Sequence, residues 1–155
     1  MNQLVRIFAL LLAIAGSSPF VFGQSAPRSL LLMTGGGLPG SARFQVELSE
    51  SGLLRVTKES MPISEKGELT KVTATKTLTD QDQDLLFALA SNADDFSSKT
   101  SGAWADGTNA ALLIKVGSQS TKRECTNAPK WPVGSKTKAF LSELNKHLPL
   151  EMRVF

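Results

Sequence analysis

The sequence predicts an α+β domain in which an antiparallel sheet carries two helices packed on one face. Three observations predict it. Short apolar segments separated by turn residues fill the stretch from 29 to 59, and one of them alternates apolar and polar residues with period two. Apolar residues recur at helical spacing in 79–96 and again in 135–148. The strands come as a run ahead of the first helix, without the strand–helix–strand alternation that a parallel sheet requires. The expected order is a meander of about four strands, a helix, a hairpin and a final helix.

In chain order, the first segment stands outside this domain. Met1 to Arg6 carry one cation and no acid, Ile7 to Ala15 are all apolar, and Gly16, Ser17, Ser18 and Pro19 break the run. That order is the pattern of a secretory signal peptide, with cleavage expected after Gly23, give or take about three residues. The apolar run falls short of the roughly 20 residues that span a bilayer. No cysteine follows it to receive a lipid, and no later segment is apolar and long enough to cross. The expectation is export to the periplasm or the medium, with no stable membrane insertion once residues 1–23 are removed. Residues 24–28 are a linker, and 29–155 have the length of a single domain.

Within the domain, Ser29 to Met33 reads as a buried first strand, ended by Thr34 and the cluster Gly35-Gly36-Gly37-Leu38-Pro39-Gly40. Ala42 to Ser49 sets Phe44, Val46 and Leu48 against Arg43, Gln45 and Glu47, which is the alternation of a half-buried strand. Glu50-Ser51-Gly52 makes a turn into a third strand, Leu53 to Glu59. After a polar loop at 60–68, the Thr- and Val-rich stretch Leu69 to Leu78 reads as an edge strand. Thr79 is a helix N-cap, followed by Asp80, Asp82 and Asp84 in the positive first turns. Leu85, Leu86, Leu89 and Ala93 give that helix an apolar face, and Asp94-Asp95-Phe96 closes it. A long Ser/Gly/Asn/Asp loop at 97–109 holds Trp104. Ala110 to Val116 and Ser120 to Thr126 form a hairpin across Gly117-Ser118-Gln119. Trp131-Pro132 leads into the last helix, capped by Ser135, striped by Phe140, Leu141, Leu144 and Leu148, and ended by Pro149.

Charge divides unevenly between the halves. Residues 24–114 hold eight Lys/Arg against eleven Asp/Glu, and residues 115–155 hold eight against three. A basic C-terminal half suits an anionic partner. Nucleic acid is not that partner in an exported chain without tyrosine and without aromatics interleaved among its cations. Cys125 is the single cysteine, so no internal disulfide forms, and its position in a strand predicts burial.

Catalytic signatures are weak throughout. Gly35-x-Gly37-x-x-Gly40 has dinucleotide-binding spacing, but an alternating strand comes after it instead of a helix. Asp80-x-Asp82-x-Asp84 opens like a calcium loop, yet Leu85 stands where glycine is needed and Ser91 where a bidentate Glu is needed. His147 is the sole histidine, four residues after Glu143 at a helix end, where it reads as a surface residue beside the helix dipole. A Cys125–His147 pair lacks an orienting third group, and adjacent Asp94 and Asp95 point different ways. No catalytic residue, metal or cofactor is expected. Trp104 and Trp131 sit in loops, where a tryptophan either plugs the edge of the core or anchors a partner.

The chain opens with a strand ending in a glycine-rich turn (Leu31 to Gly40), the alternating strand from Phe44 to Leu48, and an acidic helix with Leu86, Leu89 and a terminal Asp95-Phe96. Asp106 ahead of an apolar Leu112-Leu113-Ile114 hairpin arm and a closing helix from Lys136 to Leu148 complete the layout. Over residues 29–148 this layout resembles the emfourin family, small protein inhibitors of protealysin and related thermolysin-like metallopeptidases. In this sequence Leu38 stands where the family usually has an aromatic, the 60–68 loop is enlarged, and a leader is present. The resemblance implies a non-catalytic inhibitor whose partner is a thermolysin-like metallopeptidase. It implies that the turn of Gly36, Gly37, Leu38 and Pro39 enters the active-site cleft, with Trp104 and Asp106 as a second contact. The alternative is a cell-envelope binding module that recognises an anionic surface or partner protein through its basic C-terminal half. A third reading, a hydrolase with carboxylates assembled by the fold, requires an enclosed polar cleft.

Overall fold

A computed structural model of the chain describes residues 26–36, 41–60, 62, 68–97, 108–128 and 134–154. Six strands form one antiparallel sheet: β1 (Arg28–Gly35), β2 (Ala42–Leu48), β3 (Leu53–Ser60), β4 (Thr70–Thr77), β5 (Thr108–Val116) and β6 (Gln119–Ala128). Helix α1 (Asp80–Asn92) follows β4, and α2 (Ser135–Lys146) follows β6. The class is α+β, as the segment order predicts. The β5–β6 hairpin is not a separate piece. β5 pairs with the free side of β1, giving the order β4-β3-β2-β1-β5-β6 and making the first strand of the domain a central one.

Period-two alternation decides which side of each strand is buried. Leu30 and Leu32 of β1, Val46 and Leu48 of β2, Leu54 and Val56 of β3, and Leu112 and Ile114 of β5 all face the same way and are nearly inaccessible to water. Both helices lie on that side. Leu86, Phe87 and Ala90 of α1 and Phe140, Leu141 and Leu144 of α2 join the strand residues in a single core. Cys125 of β6 belongs to this core, only 1% exposed. Among the described residues, no helix lies on the opposite face of the sheet.

The strand ends differ from the sequence expectation at β1, which runs on through Thr34 and Gly35. Glycine alone favours a break, but here Gly35 is flanked by backbone on both sides, opposite Arg43 of β2 and Asn109 of β5. Two ladders outweigh one residue's poor strand preference. Helix α1 is capped by Thr79, whose hydroxyl accepts from the Asp82 N–H at 3.2 Å, as expected. Its buried face is shifted, however. Gln83, Leu86, Phe87 and Ala90 point inward, while Leu85 is 42% exposed. Gln83 is tolerated inside because its amide reaches the Leu78 carbonyl and Asp80 Oδ1, each at 3.4 Å.

Turns at one end of the sheet are tight. Gly52 takes φ +77° to turn β2 into β3, a conformation open to glycine, and Gln83 leaves no room there for a side chain. Gly117, at φ +58°, starts the two-residue turn between β5 and β6. At the C-terminus, Pro149 ends the α2 segment as expected, and the chain returns in one 3₁₀ turn, Leu150–Met152. Met152 and Val154 close the core, with the Val154 N–H donating to Asn145 Oδ1 at 3.0 Å.

Candidate functional site at one end of the sheet

The connections that are not tight turns all leave from the other end. There Gly35 stands opposite both Arg43 and Asn109, Ala42 opposite Ser60, Ser60 opposite Thr70, and Thr108 opposite Ala128. The stretches between β1 and β2, between β3 and β4, between α1 and β5, and between β6 and α2 are therefore rooted side by side. Of the residues singled out for partner contact, Gly36 lies at this end, directly beyond β1. Gly37, Leu38, Pro39, Trp104 and Asp106 lie outside the described residues, as does Trp131.

The roots themselves are fixed. Ser41 Oγ donates to the Gly36 carbonyl at 3.1 Å and closes the base of the β1–β2 connection. The segment that leaves α1 is held at Phe96, which is buried, and at Asp95 in the 3₁₀ turn Asp94–Phe96. Asp95 is the true cap of α2. Its carboxylate accepts from the Thr137 hydroxyl at 2.7 Å, the Thr137 N–H at 2.8 Å and the Lys136 N–H at 2.9 Å. Gly134 precedes the helix and supplies no side chain, and Ser135 makes no cap, contrary to the sequence expectation. The reason is steric. A β-carbon on Gly134 would sit 1.9 Å from Asp95 Oδ2, so the distant carboxylate occupies the place a local cap would take. Asp94 adds an ion pair with Lys136 at 2.8 Å.

These contacts set the carboxyl chemistry of the clamp. Desolvation raises the Asp95 pKa, but hydrogen bonds from Thr137 and from two backbone N–H groups, with the Lys136 charge, outweigh it and hold the group below its ordinary 3.8. The Asp94 carboxyl is also lowered, chiefly by the hydrogen bond from Lys136.

Other residues with potential chemistry are structurally employed. Gly35 is a strand residue, and among the described residues the next element after it is strand β2, not a helix that could receive a pyrophosphate. Asp84 pairs with Arg28, whose guanidinium also lies 4.7 Å from the Phe87 ring centroid. Asp80 receives the Gln83 amide. Among the described residues, no group of three or more His, Cys, Asp and Glu side chains is arranged to hold a metal ion. His147 is not the surface residue its sequence position suggests. Its side chain is 9% exposed, with Nδ1 3.5 Å from Lys76 Nζ and Nε2 3.8 Å from a Glu143 carboxylate oxygen. Four of the seven described cations in residues 115–155 are engaged. Lys122 pairs with Glu124, Lys136 with Asp94 and Lys146 with Glu143, while Arg123 donates to the Ala90 and Ser91 carbonyls at the end of α1.

A groove on the face opposite the two helices has no counterpart in the sequence expectations. Near the loop end, about 510 Å³ opens over Gly35, Met33 and Ala111, with Arg43, Glu59 and Glu124 at its rim. The only sequence signal for it is outward parity in separate strands, since register brings those residues together. Among the described residues, no helix is long and apolar enough to cross a membrane. No protein-family model and no curated protein sequence matches the chain.

Proposed function

We propose that this chain is exported and acts as a non-catalytic binding protein, an inhibitor of a thermolysin-like metallopeptidase. The observation that supports the reading is the adjacency of loop roots. Gly35, which leads to the Gly36–Gly37–Leu38–Pro39 turn, and Asn109, which follows the Trp104–Asp106 segment, are directly paired in the sheet. A frame of that kind presents two segments to one cleft and limits the ordering entropy of binding. In this mechanism Leu38 fills an apolar primed-side pocket of the peptidase, Trp104 and Asp106 make the second contact, and the inhibitor contributes no reactive group.

The test is inhibition of a thermolysin-like enzyme by the purified protein, repeated with Leu38→Ala and Trp104→Ala. Loss of an anchor in a desolvated pocket should weaken inhibition by about 30-fold or more. Absence of inhibition, or equal potency of both variants and the parent, refutes the assignment. The alternative, an envelope module using the basic half, has less support because most of its described cations already serve acids or carbonyls within the molecule. Binding of that kind should collapse near 0.5 M salt, where the Debye length is roughly 4 Å.

A further inference from the structure

The groove beside the loop end has a defined chemistry that the inhibitor reading does not use. On the open face, register sets the outward residues in rows. Lys71, Glu59, Arg43, Gly35 and Asn109 form the row nearest the loops, and Met33 and Ala111 lie at the centre of the next. Gly35 contributes no side chain and Ala111 only a methyl, so a trough opens between the two rows. Its floor has an apolar patch, Met33 (45% exposed) and Ala111, bordered by Gln45 and Thr57 in the same row. Its acids are already neutralised, Glu59 by Lys71 at 3.4 Å and Glu124 by Lys122 at 2.6 Å. Arg43 is different. It is exposed, and among the described residues it takes no ion-pair or hydrogen-bond partner. Its stem lies across Gly35, where an added β-carbon would fall 2.8 Å from Arg43 Cγ. Glycine at 35 thus gives Arg43 its position, and the groove keeps one uncompensated cation above that apolar patch.

We infer that this groove takes an extended polypeptide segment of a partner protein in which an apolar residue is followed two positions later by Asp or Glu. The apolar side chain packs on Met33 and Ala111, and the carboxylate meets the Arg43 guanidinium. The spacing follows from backbone geometry. The two rows are two residues apart along the strands, about 6.7 Å, which is also the distance between alternate side chains of an extended segment. A guanidinium suits a carboxylate because its parallel N–H groups match the two oxygens. A lone small anion would leave the apolar patch wet, which is why the occupant is a peptide segment.

Fluorescence anisotropy with the purified protein tests this. The probe is a labelled, blocked peptide Gly-Ser-Leu-Thr-Asp-Gly-Ser, compared with one carrying Asn for Asp and one carrying Ser for Leu. Both changes should weaken binding by about tenfold. Arg43→Gln should remove the preference for Asp over Asn. Gly35→Ala, which displaces the Arg43 stem, should do the same, and amide shifts on binding should centre on Met33, Gly35 and Ala111. No measurable binding, equal affinity for the Asp and Asn peptides, or shifts confined to other surfaces would overturn the inference. Acetate or inorganic phosphate competing as well as the peptide would also overturn it, leaving a small-anion site.

Discussion

Asp95 caps a helix through a backbone N–H that lies 41 residues further along the chain, and a single glycine makes room for it. The carboxylate satisfies two backbone N–H groups of the first turn of α2, groups with no partner inside the helix. Asp95→Ala should therefore lower unfolding free energy by about 2 kcal/mol, the upper range for a lost cap. Gly134→Ala should cost a similar amount, since its methyl competes for the same space. In the double variant the costs should not add, because each change removes the same interaction. Denaturant midpoints of the four proteins check this, and simple additivity would show that the two residues act separately. The clamp also makes stability depend on acid. A carboxyl whose pKa is lower folded than unfolded adds stability that is complete above the unfolded value of 3.8 and is lost as pH falls through the folded value. The stability gap between the parent and Asp95→Asn should hold from neutral pH down to about 4 and narrow below it. A gap unchanged down to about pH 2.5 would show that the ionised Asp95 carboxylate is not its source.

At the level of whole elements, the same device recurs at the other helix. Helix α1 has no basic residue in its last turn, and Arg123, from β6, donates to the Ala90 carbonyl at 2.8 Å and the Ser91 carbonyl at 2.6 Å. A guanidinium there satisfies end carbonyls and opposes the negative pole of the helix. Arg123→Ala should cost roughly 1–2 kcal/mol in thermal or denaturant unfolding, with Arg123→Lys recovering part of it; a neutral Arg123→Ala would show that water serves those carbonyls equally well. Such contacts explain what the sequence could and could not reveal. Alternation made the inward face of β2 legible, with Val46 and Leu48 buried as patterned. In β3, where the alternation is weaker, burial of Leu54 and Val56 was less plain in the sequence. The cap at Thr79 was legible because donor and acceptor are close neighbours in the chain. The Asp95–α2 and Arg123–α1 contacts were not, since nothing local marks a partner so far along the chain. The face of α1 misled for another reason. Inward Gln83 has its polar atoms satisfied by neighbours that hydropathy does not count, and outward Leu85 is apolar but exposed. At the candidate site, nothing in the sequence linked the glycine cluster to Asn109, and only the β1–β5 register sets Gly35 opposite it.

As a whole, the molecule is two local assemblies joined by one strand. β2, β3 and β4 follow one another in the chain and pair in sequence order, whereas β1 pairs with β5 across most of the domain, Arg28 opposite Val116 and Gly35 opposite Asn109. Closing that ladder costs chain entropy before its contacts stabilise anything. The meander should therefore form first, with one side of β1 open until β5 arrives. Substitution kinetics separate the two ladders. Val56→Ala, between β2 and β4, should slow folding, because its contacts are present in the transition state. Leu112→Ala, in β5, should cost roughly 3 kcal/mol at equilibrium and show it mainly as faster unfolding. The reverse pattern, with folding slowed chiefly by Leu112→Ala, would make the β1–β5 ladder the nucleus. The loop end, rooted on that same ladder at Gly35 and Asn109, would then be organised at the start of folding instead of at its close.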